Sequence, residues 1–231
     1  KRKKNSPTIW KRRFLDNVSN NKVFGVYTIN DDILEKKEEK LFYNKLKKLI
    51  PKHDLVIVSD YGHGLISNKS ANLISKLSKY LALNAQINAA NVGYHSMRNY
   101  KTVDCVIINE KEIRHELRDK NGIINSLIKR LSQEQNIKNL VVTRGVSGST
   151  LYNKKDNKFI ICDAYAKTAI DKIGAGDAML SIVALCLKCG FHRGLALLIG
   201  SLAAAQSVKS MGNKEAINKN KILKSLESIL K

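Results

Sequence analysis

Residues 104–143 open on the apolar run Asp104-Cys-Val-Ile-Ile108 and close on Lys138-Asn-Leu-Val-Val-Thr143. Between them, in Glu110–Leu117 and Gly122–Gln135, apolar residues recur every three or four positions, the spacing of one helix face. Short β-branched runs without alternation mark strands covered on both sides, as in parallel sheets. Strand, helical cover and strand again predict an α/β fold.

The same alternation extends outward. Asp54–Ser59 reads as a further buried strand, with helical spacing over Ser70–Leu83 and a strand over Ala85–Ala90. Ahead of these, Trp10–Phe14 and Val23–Ile29 read as a hairpin joined by Asp16–Asn21, and a helix over Asp32–Ile50 is ended by Pro51. Downstream come a hairpin (Ser149–Tyr152, Lys158–Cys162) and three helices, Ala175–Lys188, Arg193–Ser210 and Lys219–Leu230. No repeat or linker interrupts residues 1–231. The expectation is one three-layer α/β/α domain with a mostly parallel sheet, binding its ligands at the carboxyl ends of the strands.

Composition narrows the classes. Hydrophobic residues make up 43% and charged residues 26% of the 231, with 13 Gly and 2 Pro, which excludes a disordered or collagenous chain. The apolar stretches Ala178–Leu187 and Leu195–Ala205 are too short to span a bilayer. The chain opens without a signal-peptide pattern, so a cytoplasmic protein without a membrane partner is expected. The net charge is +21, yet the lysines are scattered and only Lys1–Lys4 with Lys11–Arg13 is dense. A nucleic-acid footprint should cluster on one face, so nucleic acid is not the expected partner. Cys105, Cys162, Cys186 and Cys189 read as buried free thiols. Cys186, Cys189 and His192 fall short of the four ligands of a structural zinc site.

Three segments carry chemistry. The first, Asp171-Lys-Ile-Gly174-Ala175-Gly176-Asp177, runs into an apolar helix. Small residues there let backbone amides approach an anion, and the helix start adds donors and a positive dipole end. On spacing alone, Asp177 is either a helix cap or a general base facing that anion. The second, Asn109-Glu-Lys-Glu112, places carboxylates in a helix's first turn, where the dipole favours them, or where a hard cation could use one. The third, Thr143-Arg-Gly145-Val-Ser-Gly148, is a glycine-bearing turn after a strand.

In this order the segments resemble the ribokinase-like (PfkB) carbohydrate kinases, with their N-x-x-E, T-x-G-x-x-G and G-A-G-D motifs. The resemblance implies that Asp177 deprotonates the acceptor hydroxyl while Gly174, Ala175 and Gly176 form the anion hole. It assigns Asn109 and Glu112 to phosphate and Mg²⁺, and Thr143, Gly145 and Gly148 to the nucleotide. Asp171 falls in a loop that in many members binds a monovalent cation, with K⁺ the candidate. Lys172 beside it either alters that loop, contacts phosphate or is a surface lysine. Ala203–Gly212 resembles the last core helix and the turn beside the adenine pocket, with Gly212 on that turn.

Ser59-Asp60-Tyr61-Gly62-His63-Gly64 resembles the D-Y-x-K-G stretch of heptose-phosphate kinases, which assigns Asp60 and Gly62 to the substrate. His63 stands where that group usually has Lys, and Asn84–Tyr94 lacks its D-P-K. Pro7–Arg13 resembles the same group's P-T-x-x-K-x-R strand, so residues 7–30 are expected to form lid-like strands. The function implied is transfer of the γ-phosphoryl group of ATP to a hydroxyl of a sugar or sugar phosphate, heptose phosphate among them. The alternative is a non-catalytic nucleotide-binding or scaffold fragment of a bifunctional sugar-nucleotide enzyme. The family's first strands and Gly-Gly sugar motif would precede residue 1. Association with that part, or with a second copy, is expected through an exposed sheet edge.

Overall fold

Two antiparallel strands, β1 (Trp10–Leu15) and β2 (Lys22–Thr28), pair as a small sheet of their own. This is a computed structural model describing residues 3, 6–16, 22–87, 91, 93–166 and 168–230. Residues 17–21 of the expected hairpin turn lie outside the described residues, as do 88–90. After β2 comes α1 (Lys36–Leu49), then β3 (Val56–Asp60), α2 (Asn68–Leu77), β4 (Leu81–Ala85) and β5 (Val103–Asn109). The chain continues through α3 (Glu110–Leu117), α4 (Ile124–Glu134), β6 (Ile137–Thr143), β7 (Ser149–Asn153) and β8 (Lys158–Cys162). It ends in α5 (Ala175–Lys188), α6 (Arg193–Ser207) and α7 (Lys219–Leu230).

The six strands from β3 to β8 lie side by side in chain order. β3 to β6 run parallel, and β7 and β8 turn back antiparallel. Alternation along each strand builds two cores. In β5, Val106 and Ile108 join Ile74, Ile113, Leu127 and Leu131 on the α2–α4 side. Cys105 and Ile107 meet Met179, Leu180 and Val183 of α5 on the other side. The three-layer expectation holds. Asn109 is level with Thr143 and Asp60 with Ala85, so the strands deliver their motifs to one edge of the sheet.

Several boundaries differ from the expected ones. The strand expected over Ala85–Ala90 is β4, over Leu81–Ala85, and α2 stops at Leu77. Ser78 ends the helix, its N–H and its Oγ both donating to the Ile74 carbonyl. All five residues of β4 are buried, so no alternation separates strand from helix. α1 starts at Lys36 and buries none of its residues, its apolar stripe only leaning on the domain. β3 is not covered on both faces, since Ile57 is 43% exposed at the end of the sheet order. Cys105 and Cys186 are buried free thiols as expected, but Cys162 is half-buried and Cys189 exposed. His192 accepts the Gly194 N–H at the start of α6. Among the described residues no helix is long and apolar enough to cross a membrane.

Candidate active site

At the α5 start Asp177 does not cap its own helix. Gly174 sits just before the helix at φ 83°, a left-handed conformation that glycine adopts without strain. The helical ladder begins with the Ala178 N–H on the Gly174 carbonyl, 2.9 Å. The amides of Ala175, Gly176 and Asp177 therefore precede the ladder, as first-turn amides do. A Cβ on Gly176 would meet nothing within 4 Å, so the space in front of this turn is open. The cap position belongs to Gly174 and makes no side-chain cap bond. Asp177 instead turns to β3: Ser59 Oγ donates to its Oδ1 at 2.8 Å and Tyr61 OH to its Oδ2 at 2.9 Å. Burial first, and then the Asp177 charge, push the Tyr61 phenol up, so it stays protonated and donates.

Asp60, the carboxylate singled out in this stretch, points to the opposite face and is buried. It accepts the Gly62 N–H at 3.0 Å and the Tyr100 hydroxyl at 2.7 Å. The structure therefore does not bring Asp60 to Asp177, and Gly62 serves the loop through its amide. Ser59 and Tyr61, which sequence reasoning passed over, are the groups that reach it. The signal was strand parity: residues one apart at a strand end face opposite ways, and those two apart share a face. The β1 strand lies beside this loop, with Lys11 Nζ 3.1 Å from His63 Nε2 and 5.2 Å over the Tyr61 ring. Burial, then Lys11, push the His63 imidazole below its ordinary value.

At the end of β5, Asn109 and Glu112 cap α3 reciprocally. Asn109 Oδ1 accepts the Glu112 N–H at 2.9 Å and Glu112 Oε2 accepts the Asn109 N–H at 2.8 Å. Burial raises Glu112; the amides of Asn109 and Ile87 oppose this, and the Asp177 charge adds to it. In the neighbouring loop Arg144 reaches Glu110 at 3.1 Å, and Arg114 reaches it at 2.7 Å. Arg114 foremost, and then Arg144, hold Glu110 below the usual carboxylate range. Thr143 is half-buried and Gly145 exposed. Gly148 is fixed by space, because a Cβ there would collide with the Cys162 carbonyl of β8.

Asp171 ties two loops, accepting the Ile173 N–H at 3.0 Å and the Gly212 N–H at 2.9 Å. Lys172 is exposed. Lys209 and Glu215, which flank the Gly212 turn in sequence, help to line a cleft of about 220 Å³ with Tyr165, Leu202, Gln206 and Ile222.

Phosphoryl transfer asks for positioning and charge stabilisation more than for covalent chemistry. The anchored Asp177 beside the open amides of the α5 start offers both. The model of the pfkB family of carbohydrate kinases matches residues 90–220, more than half of the chain, and the chain belongs to this family. It is 31% identical over 165 residues to the bifunctional protein HldE of Campylobacter concisus, covering 70% of this chain and 34% of that protein. An uncharacterized sugar kinase of Buchnera aphidicola is 26% identical over 178 residues, covering 77% of this chain and 55% of that one. The chain spans about a third of the length of the HldE relatives it matches. Thermotoga maritima ribokinase superposes with a TM-score of 0.70 at 18% identity, over 94% of this chain and 69% of that one. Escherichia coli phosphofructokinase-2 in complex with potassium gives 0.71 at 12% identity, over 90% and 67%. Likeness at such identities concerns the fold.

Proposed function

We propose that the chain carries the nucleotide half and the general base of an ATP-dependent carbohydrate kinase acting on a sugar phosphate, heptose phosphate being the first acceptor to try. One observation carries this reading: at the α5 start an anchored carboxylate stands beside backbone amides that it does not occupy. The acceptor hydroxyl gives its proton to Asp177 while its oxygen forms a bond to the γ-phosphorus. The bond from that phosphorus to the β–γ bridging oxygen breaks, and ADP leaves with the electron pair. The amides of Gly174–Gly176 hold the phosphoryl oxygens as charge gathers on them. Thr143–Gly148 and Asn109 seat the phosphates, and the cleft lined by Lys209 and Glu215 takes the base. Lys11 beside Tyr61 favours an acceptor that is itself anionic.

The residues present fit a magnesium ion. Glu112 is a buried carboxylate whose Oε2 holds the Asn109 amide and keeps a further lone pair, and Mg²⁺ keeps several waters through which one carboxylate can hold it. When bound, the ion neutralises phosphate charge. Potassium would be held at Asp171, whose oxygens accept the Ile173 and Gly212 amides and keep lone pairs to spare. The test is Asp177→Asn in the full-length protein, which should keep ATP binding and lose roughly 10²–10⁴ in turnover. Unchanged turnover overturns the reading.

A further inference from the structure

We propose that Ser59 and Tyr61 are positioning residues that hold the base off its own helix, so that one helix start offers open amides beside a carboxylate that does not fill them. The proposal rests on the reading of Asp177 as the base. A carboxylate at the third helical position has a ready local partner, the amide at the helix start. Glu112 takes that partner in α3. Asp177 occupies the equivalent position in α5, counting Ala175 as the first helical residue. A carboxylate resting on the α5 amides would fill the place of the phosphoryl oxygens.

Two hydroxyls from another element prevent this. Each takes one oxygen of Asp177, Ser59 at 2.8 Å and Tyr61 at 2.9 Å. They share a face because they are two residues apart, while Asp60 between them is pinned on the other side by Gly62 and Tyr100. The Tyr61 ring is steadied by Lys11 at 5.2 Å and by His63 stacked at 6.2 Å. Each carboxylate oxygen accepts more than one bond, so an acceptor hydroxyl joins these donors without displacing them.

The test uses the full-length protein, ATP and the acceptor that supports turnover. Tyr61→Phe keeps the ring and removes one donor; it should lower kcat about 10–100-fold with KM for ATP within about twofold. Ser59→Ala, a second variant in case the first fails to fold, should lower kcat about 3–10-fold. In an Asp177→Ala background neither change should lower the residual rate further, because a residue acting through the carboxylate then has nothing to position. Equal losses in both backgrounds, or a loss confined to the acceptor KM, overturn the proposal. If Asp177→Ala alone keeps full turnover, the base assignment itself has failed and the proposal falls with it. A readout free of turnover is the ¹³Cζ resonance of labelled tyrosine that disappears in Tyr61→Phe. It should move at neutral pH in Asp177→Ala while the other tyrosine resonances stay; an unmoved resonance overturns the contact.

Discussion

Two helices of this domain begin at strand-end loops on the same edge of the sheet, each with an acidic residue at its third position. In α3, Asn109 and Glu112 satisfy each other's backbone amides. In α5, Gly174 offers no side chain, and Asp177 is drawn away by Ser59 and Tyr61. The α3 start is thereby spent on its own stability. The α5 start keeps its donors for something else. Unpaired amides at a helix end carry a cost unless water or a ligand takes them. The difference separates a strand-to-helix junction that holds the fold from one that can bind an anion.

Making α5 resemble α3 should have the largest effect. Asp177→Glu retains the charge but gives the side chain the reach that Glu112 uses. That carboxylate would return to the helix start and accept the Gly174 N–H as Glu112 accepts that of Asn109, and turnover should fall about 10²-fold, the scale of a 1 Å misplacement. The melting temperature should hold or rise. A lower melting temperature together with retained turnover would show that the longer side chain still points at β3. The converse change opens α3. Asn109→Ala removes the capping oxygen and should cost about 1 kcal/mol. Thermal unfolding would read this as a drop of roughly 2–4 °C; an unchanged midpoint would mean that Glu112 alone secures the turn.

The sequence made legible those features that are local. Glu110–Leu117 and Ala175–Lys188 were read with the observed bounds, since periodicity and a glycine turn lie within a few residues of each helix. The Gly174–Gly176 turn was found because its chemistry dictates residue type. Features that depend on assembly were not legible. β4 was displaced because its complete burial, set by both layers packing on it, removes any pattern. The D-Y-x-K-G resemblance points to Asp60 and Gly62, and says nothing of Ser59 or of the Tyr61 hydroxyl. Yet the face each takes follows from the pairing of β3 with β4 and the placement of α5. The cleft draws on Tyr165, Gln206 and Ile222, which are distant in sequence and brought together only by folding.

The smallest effect concerns Glu112, and its sign distinguishes a mere cap from a cap that also faces a cation. Burial, with a further contribution from Asp177, raises the Glu112 carboxyl above its ordinary value despite two amide bonds. The folded state then binds more protons than the unfolded one. Its contribution therefore falls as pH rises from the unfolded value through the raised one, and levels off above that. Glu112→Gln removes this titration. The stability of the variant relative to wild type should improve as pH rises from the ordinary carboxylate range through the raised one, by less than Asn109→Ala costs. A flat difference would mean that Glu112 titrates alike in both states. Added Mg²⁺ should then act in the opposite sense, raising the neutral-pH melting temperature of the wild type more than that of the variant, because only the wild type has the Glu112 carboxylate to hold the ion. Equal responses would remove Glu112 from the cation site and leave it to the cap.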